Sequence, residues 1–142
     1  MKAEELRIGN YVKIDEGIGK VAFIMDKSFC NEYANDDYNI TVEMGDGIFR
    51  EEEEDKVEGI PLTEEILLNC GFEKINHIYG YSFYSFNRNS LEDEKVYMPL
   101  DVYLNPNYAK IANFTVQQNV EYVHQLQNLF YAINGKELNI QL

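Results

Sequence analysis

His77 and His124 are the only histidines in the chain, and Cys30 and Cys70 the only cysteines. Imidazole and thiol are the groups best suited to metal ligation and nucleophilic catalysis near neutral pH. A zinc site ordinarily takes two of its ligands from one short stretch, a few residues apart. These four come from four separate stretches, and the spacing argues against a metal centre. A Cys70–His124 nucleophile pair has the right residue types but no local motif around it. The expectation is no catalytic residue, no metal and no cofactor. Carboxylates are too numerous for a pair of them to single out a position.

Three further motifs fail on their own chemistry. Gly17-Ile-Gly-Lys20 is not a phosphate loop: Ile14 stands where the first glycine belongs, and Val21 where the magnesium-binding hydroxyl belongs. Asn35-Asp-Asp-Tyr-Asn39 resembles the start of a calcium loop, but Ile40 occupies the sharp-turn glycine position and Asp46 the bidentate glutamate position. Glu51-Glu-Glu-Glu-Asp55 lacks the turn-forming spacers that gather carboxylates around one ion. Beside a strand, such a run reads as a solvated loop or an edge whose like charges deter edge pairing.

Two polar sets remain as binding candidates. On the last helix, His124, Gln127, Asn128 and Tyr131 recur at helical spacing, with Gln125 to the side. Amides with a histidine suit specific hydrogen bonds. Bonding within the fold is the reading favoured by how buried side chains usually behave, and a recognition surface is the alternative. The second set is Tyr79, Tyr81, Tyr97 and Tyr103, which would form an aromatic face on a sheet. Most such tyrosines pack with wet hydroxyls, yet tyrosine-rich faces also suit protein partners.

Charge narrows the partners. The 142 residues include 12 basic and 25 acidic side chains, for a net charge of -13. Nucleic-acid binding needs clustered Lys and Arg to displace counterions, and here the basic residues are scattered. Anionic membrane surfaces are disfavoured for the same reason. Solubility explains the charge, and a basic protein partner is compatible with it. Apolar residues make up 45% of the chain, with 11 Tyr and 8 Phe, which excludes a disordered acidic tail. No apolar run approaches a membrane span, and the charged start Met1-Lys-Ala-Glu-Glu-Leu-Arg7 lacks the apolar stretch of a secretory signal. Two sparse cysteines are no disulfide framework, so both are expected reduced, although their spacing does not exclude a bridge. The expected setting is soluble and intracellular.

The elements that must position these residues read as α+β. Residues 1–60 form short strands: Leu6–Ile14, Lys20–Met25, Asn39–Met44 and one starting at Ile48, with turns at Asp15–Gly19 and Gly45-Asp-Gly47. This spacing predicts an SH3-like small β-barrel module, an analogy of fold that says nothing of function. Pro61–Phe72 is a short connecting helix: Thr63 is the N-cap, Glu64 and Glu65 sit in the first turn, and Gly71 takes the left-handed terminal position with Phe72 folding back on Leu67. Residues 73–117 predict an antiparallel meander. Within it Val96–Leu104 alternate, Pro99 argues for an edge or bulge, and Tyr108–Val116 return as one strand with Ala112, Phe114 and Val116 on one face. A helix over Val120–Asn134, with Asn119 or an earlier box as its start, packs on the meander, and Leu138 and Ile140 suggest a closing strand. The division is therefore 1–60 and 61–142, with or without a shared core.

Three segments together carry a resemblance: Leu6-Arg-Ile-Gly-Asn-Tyr-Val12; Ile60-Pro-Leu-Thr-Glu-Glu-Ile-Leu67 with Cys70-Gly-Phe72; and Tyr122-Val-His-Gln-Leu-Gln-Asn-Leu-Phe-Tyr-Ala132 with Gly135-Lys-Glu-Leu138. In these the chain resembles a family of small proteins, without assigned activity or cofactor, from Bacteroides-type gut bacteria and their prophages and mobile elements. The resemblance implies a cytoplasmic protein of phage or mobile-element context. The functional expectation is a non-enzymatic protein-binding or accessory protein. Alternatives are an acidic decoy whose carboxylates imitate nucleic-acid phosphates, which requires a continuous acidic face, and a small enzyme with a site of dispersed residues.

Overall fold

The computed structural model describes residues 1–26, 38–86, 98–111 and 114–142. The elements are β1 (Tyr11–Ile14), β2 (Gly17–Asp26), β3 (Tyr38–Gly45), β4 (Ile48–Glu53), α1 (Glu64–Asn69), β5 (Glu73–Asn76), β6 (Ser82–Phe86), β7 (Leu100–Leu104), β8 (Asn107–Ile111), β9 (Phe114–Gln118) and α2 (Val123–Asn134). The protein is α+β with two antiparallel sheets, β1-β2-β3-β4 and β5-β6-β7-β8-β9. It divides into two compact units, Met1–Ile60 and Pro61–Leu142. Cys30, residues 35–37, the whole polar stretch 87–95, Val96, Tyr97 and Ala112 lie outside the described residues.

The first unit is built on alternation. In β1, Val12 and Ile14 are buried while Lys13 is exposed. Val21, Ile40 and Val42 face them, and Ala3, Leu6 and Val57 complete the apolar core. The strand expected from Leu6 begins only at Tyr11. Gly9 adopts a φ of +91°, and the Asn10 side chain accepts the Arg7 N–H at 2.7 Å, so residues 7–10 form a closed turn. The glycines expected as a turn at 15–19 belong instead to β2. Gly19 sits where β3 approaches closely: a Cβ there would lie 2.5 Å from the Glu43 carbonyl oxygen and 2.6 Å from Val42 Cγ1. Gly45, Asp46 and Gly47 all have positive φ in the β3–β4 hairpin. No described sheet closes into a barrel. After β4 a short 3-10 turn, Glu54–Lys56, leads to a single bridge from Glu58 back to Lys13 of β1.

In the second unit α1 forms as its end signals dictate. Thr63 Oγ1 accepts the Ile66 N–H at 3.3 Å. Gly71, at φ +94°, and Phe72 return their N–H groups to Leu68 and Leu67. That paired closure satisfies carbonyls a six-residue helix would otherwise leave open. Leu67 and Phe72 are buried. Phe72 then packs tilted against Phe86, and Phe86 meets Phe130 edge to face, with centroids 5.2 and 4.9 Å apart; Leu100, Val102, Val123 and Leu126 are buried as well.

Several expectations for this unit are corrected. β7 is the central strand of its sheet, because Pro99 stands just before its first residue, where no ladder N–H is required. The strand expected over 108–116 is two strands, β8 and β9. Phe114 and Val116 are exposed, because β9 is the outer strand and carries a bulge opposite Ala109 and Lys110. α2 starts at Val123, not Val120: Gln125 Oε1 accepts the Glu121 and Tyr122 N–H groups at 2.8 and 3.1 Å, which fixes the first turn there. Asn119, expected as its cap, has a φ of +60° and donates its N–H to Asn107. Leu138 and Ile140 are buried but form no strand.

Candidate functional site

The five-stranded sheet has one face toward the buried phenylalanines and one open face. Strand alternation assigns the residues. Tyr84 and Val102 are cross-strand partners on the buried side, so Phe83 and Tyr103 share the open side. Tyr103 pairs with Tyr108, Tyr108 with Gln118, and Ile75 with Phe83. One row thus crosses all five strands: Ile75, Phe83, Tyr103, Tyr108 and Gln118.

The rings of this row touch. Phe83 and Tyr103 stack at 5.3 Å, and Tyr103 and Tyr108 at 4.4 Å with planes 5° apart. Lys110, two residues along β8, places its ammonium 5.4 Å from both tyrosine centroids. Burial, followed by the neighbouring Tyr108, Asp101 and Tyr81 oxygens, raises the Tyr103 pKa and keeps its hydroxyl a neutral donor. Beside Tyr108 and Lys110 lies a shallow pocket of about 390 Å³, edged by Asn107, Thr115, Gln118 and Asn119. Flat rings, a cation and amides in this order form an adaptable contact surface. Among the described residues, the row and Lys110 include no His or Cys.

The β5–β6 turn adds a second aromatic group. The His77 N–H donates to the Tyr81 carbonyl, and Gly80, at φ +85°, closes the turn. The His77 ring stacks with Tyr81 at 4.5 Å and with Tyr79 at 5.2 Å, and Tyr79 and Tyr81 are both exposed.

The candidates on the last helix divide. His124 and Gln127 are buried, so neither belongs to an exposed recognition surface. Gln125 caps α2. Asn128 is half-buried and has interactions within the fold, and Tyr131 is exposed and also has one. Neither His124 ring nitrogen has a hydrogen-bond partner, so the Cys70–His124 pair is not engaged. Burial holds the His124 pKa down at about 4 and pushes the Cys70 thiol up, leaving both neutral at pH 7.

Of the sequence candidates, the structure brings Tyr103 and Tyr81 near one another. Tyr79 joins Tyr81 through His77, and Tyr97 lies outside the described residues. Phe83, Tyr108 and Lys110 were not expected. The signal for Tyr108 was present: it stands as far after the Asn105–Pro106 turn as Tyr103 stands before it, which in a hairpin makes the two direct partners. Among the described residues no group of His, Cys, Asp or Glu gathers to hold a metal ion, and no helix is long and apolar enough to cross a membrane. No family model, curated protein or solved structure matches the chain.

Proposed function

We propose that this is a non-enzymatic protein-binding protein whose contact surface is the open face of the β5–β9 sheet. The observation that carries this reading is the stacked row Phe83–Tyr103–Tyr108 with Lys110 above it, half-buried and facing solvent. Aromatic side chains offer large contact area for little lost rotamer freedom, which is why they anchor interfaces. The accessory role in a phage or mobile-element setting, implied by the three resembling segments, is consistent with such a surface. An SH3-like reading of the first unit is supported by its four successive strands, the 3-10 turn and the return bridge to β1.

The test is affinity capture from host lysate with the native chain and with Tyr103→Ala/Tyr108→Ala. The native chain is expected to recover one protein reproducibly. The double variant, with its circular dichroism unchanged, should bind that protein at least 30-fold more weakly, as loss of about 2 kcal/mol at an aromatic anchor requires. Equal recovery by both chains, or recovery by neither, would overturn the proposal.

A further inference from the structure

The open face of the β1–β4 sheet is also unlike an ordinary wet surface. Cross-strand register places its residues in rows: Lys20, Glu43 and Phe49; then Phe23, Thr41 and Glu51; then Met25, Asn39 and Glu53. Val21, Ile40 and Val42 point the other way, into the core. Phe23 is 64% exposed, Phe49 51% and Met25 42%. An apolar group exposed on one sheet face and rimmed by polar side chains is the pattern of an interaction site. A bulge at Ala22 shifts the register between Val21 and Phe23 and brings Phe23 onto this side. The acidic run, which reads in sequence as a solvated loop or an edge, enters β4 and places Glu51 and Glu53 on this same face beside the apolar side chains. Asn39 Nδ2 donates to Glu51 Oε1 at 2.7 Å and orients that carboxylate. The cation of the first row, Lys20, lies over the Tyr11 ring at 5.0 Å.

We propose that this face docks a basic amphipathic segment of a partner protein, with its apolar side chains on Phe23, Met25 and Phe49 and its Lys or Arg side chains toward Glu43, Glu51 and Glu53. Charge complementarity selects that occupant. A second copy of the chain carries the same net charge of -13 and presents the same carboxylates, so self-docking meets like charge. The rings supply the area removed from water, while the carboxylates set specificity and speed encounter. This inference stands on a different sheet from the tyrosine row and does not depend on it.

The test uses the full-length chain and fluorescein-labelled synthetic peptides of repeated Lys and Leu, with a Lys/Ser peptide of equal charge as control, read by anisotropy. The Lys/Leu peptide should bind at least tenfold more tightly than the Lys/Ser peptide. Phe23→Ser/Phe49→Ser should remove that difference. Glu43→Gln/Glu51→Gln/Glu53→Gln should weaken Lys/Leu binding and flatten its dependence on salt, and Tyr103→Ala should leave it unchanged. All these positions are solvent-facing, and circular dichroism checks that each variant folds. Amide shift changes on titration should centre on β2–β4. Equal binding of both peptides, binding unaffected by the phenylalanine variant, or loss of binding with Tyr103→Ala would overturn the proposal. A native dimer that Phe23→Ser converts to monomer would overturn it as well, by naming a second copy as the occupant.

Discussion

His124 illustrates how burial changes the meaning of a side chain. Its polar nitrogens are enclosed without partners, and leaving such groups unsatisfied costs about 1–3 kcal/mol. His124→Leu is therefore expected to raise stability at pH 7 by about 1 kcal/mol or more, read as a higher urea midpoint. The pH dependence follows from the same burial. The folded pKa is about 4 against an ordinary 6.5. Between these values the unfolded chain binds a proton that the folded chain refuses, so stability falls as pH drops through that window. Urea melts at pH 7.5, 6.5, 5.5 and 4.5 should show the native chain losing more stability than His124→Leu; parallel curves would refute the assignment. Tyr84 shows the opposite case, a buried ring with a satisfied hydroxyl. It donates to Glu64 Oε2 at 2.5 Å, and Lys74 reaches both oxygens of that carboxylate at 3.0 Å. Burial and the nearby carboxylate push the Tyr84 pKa up to about 12. The Tyr84 bond, followed by Lys74, holds Glu64 below the usual carboxylate range. Tyr84→Phe should lower the midpoint at pH 7, and the deficit should shrink as acid protonates Glu64.

Among the elements, α1 is where local chemistry speaks most plainly. Thr63, Gly71 and Phe72 act through bonds to neighbours three to five residues away, so their roles are written in the order of residues alone. Thr63→Ala should cost about 1 kcal/mol by leaving an N–H without its cap. Gly71→Ala should cost about 1–2 kcal/mol by forcing a side chain into a left-handed conformation. Strand boundaries obey a different rule. Gly19 reads as a turn glycine in sequence, but its reason for being glycine is the approach of Glu43 and Val42 from β3. Gly19→Ala should therefore destabilise by about 2 kcal/mol or more, because the obstructing atom is backbone and cannot swing aside. A midpoint within error of the native chain would show that β3 yields easily. The same distinction accounts for β9. Alternation marked strand over 108–116, but the reversal that makes two strands of it depends on pairing, which no single stretch contains.

On the scale of the whole molecule, the net charge of -13 acts on every residue at once. Self-repulsion opposes folding and is screened by salt. Raising sodium chloride from about 20 mM to about 500 mM should raise the melting temperature by a few degrees; a fall would mean that paired charges outweigh the repulsion. The sequence by itself determined the α+β class, the alternation of β1 and β7, the presence of β3, both ends of α1 and the apolar stripe of α2. Each of these follows from interactions within one turn or one strand. Only tertiary structure decided that Phe83, Tyr103, Tyr108 and Lys110 share a surface, that Phe23 and Phe49 remain in water beside Glu51, and that His124 faces inward. Those outcomes depend on which strands become neighbours and in what register, and a shift of one residue in pairing would have sent every one of those strand side chains to the opposite face.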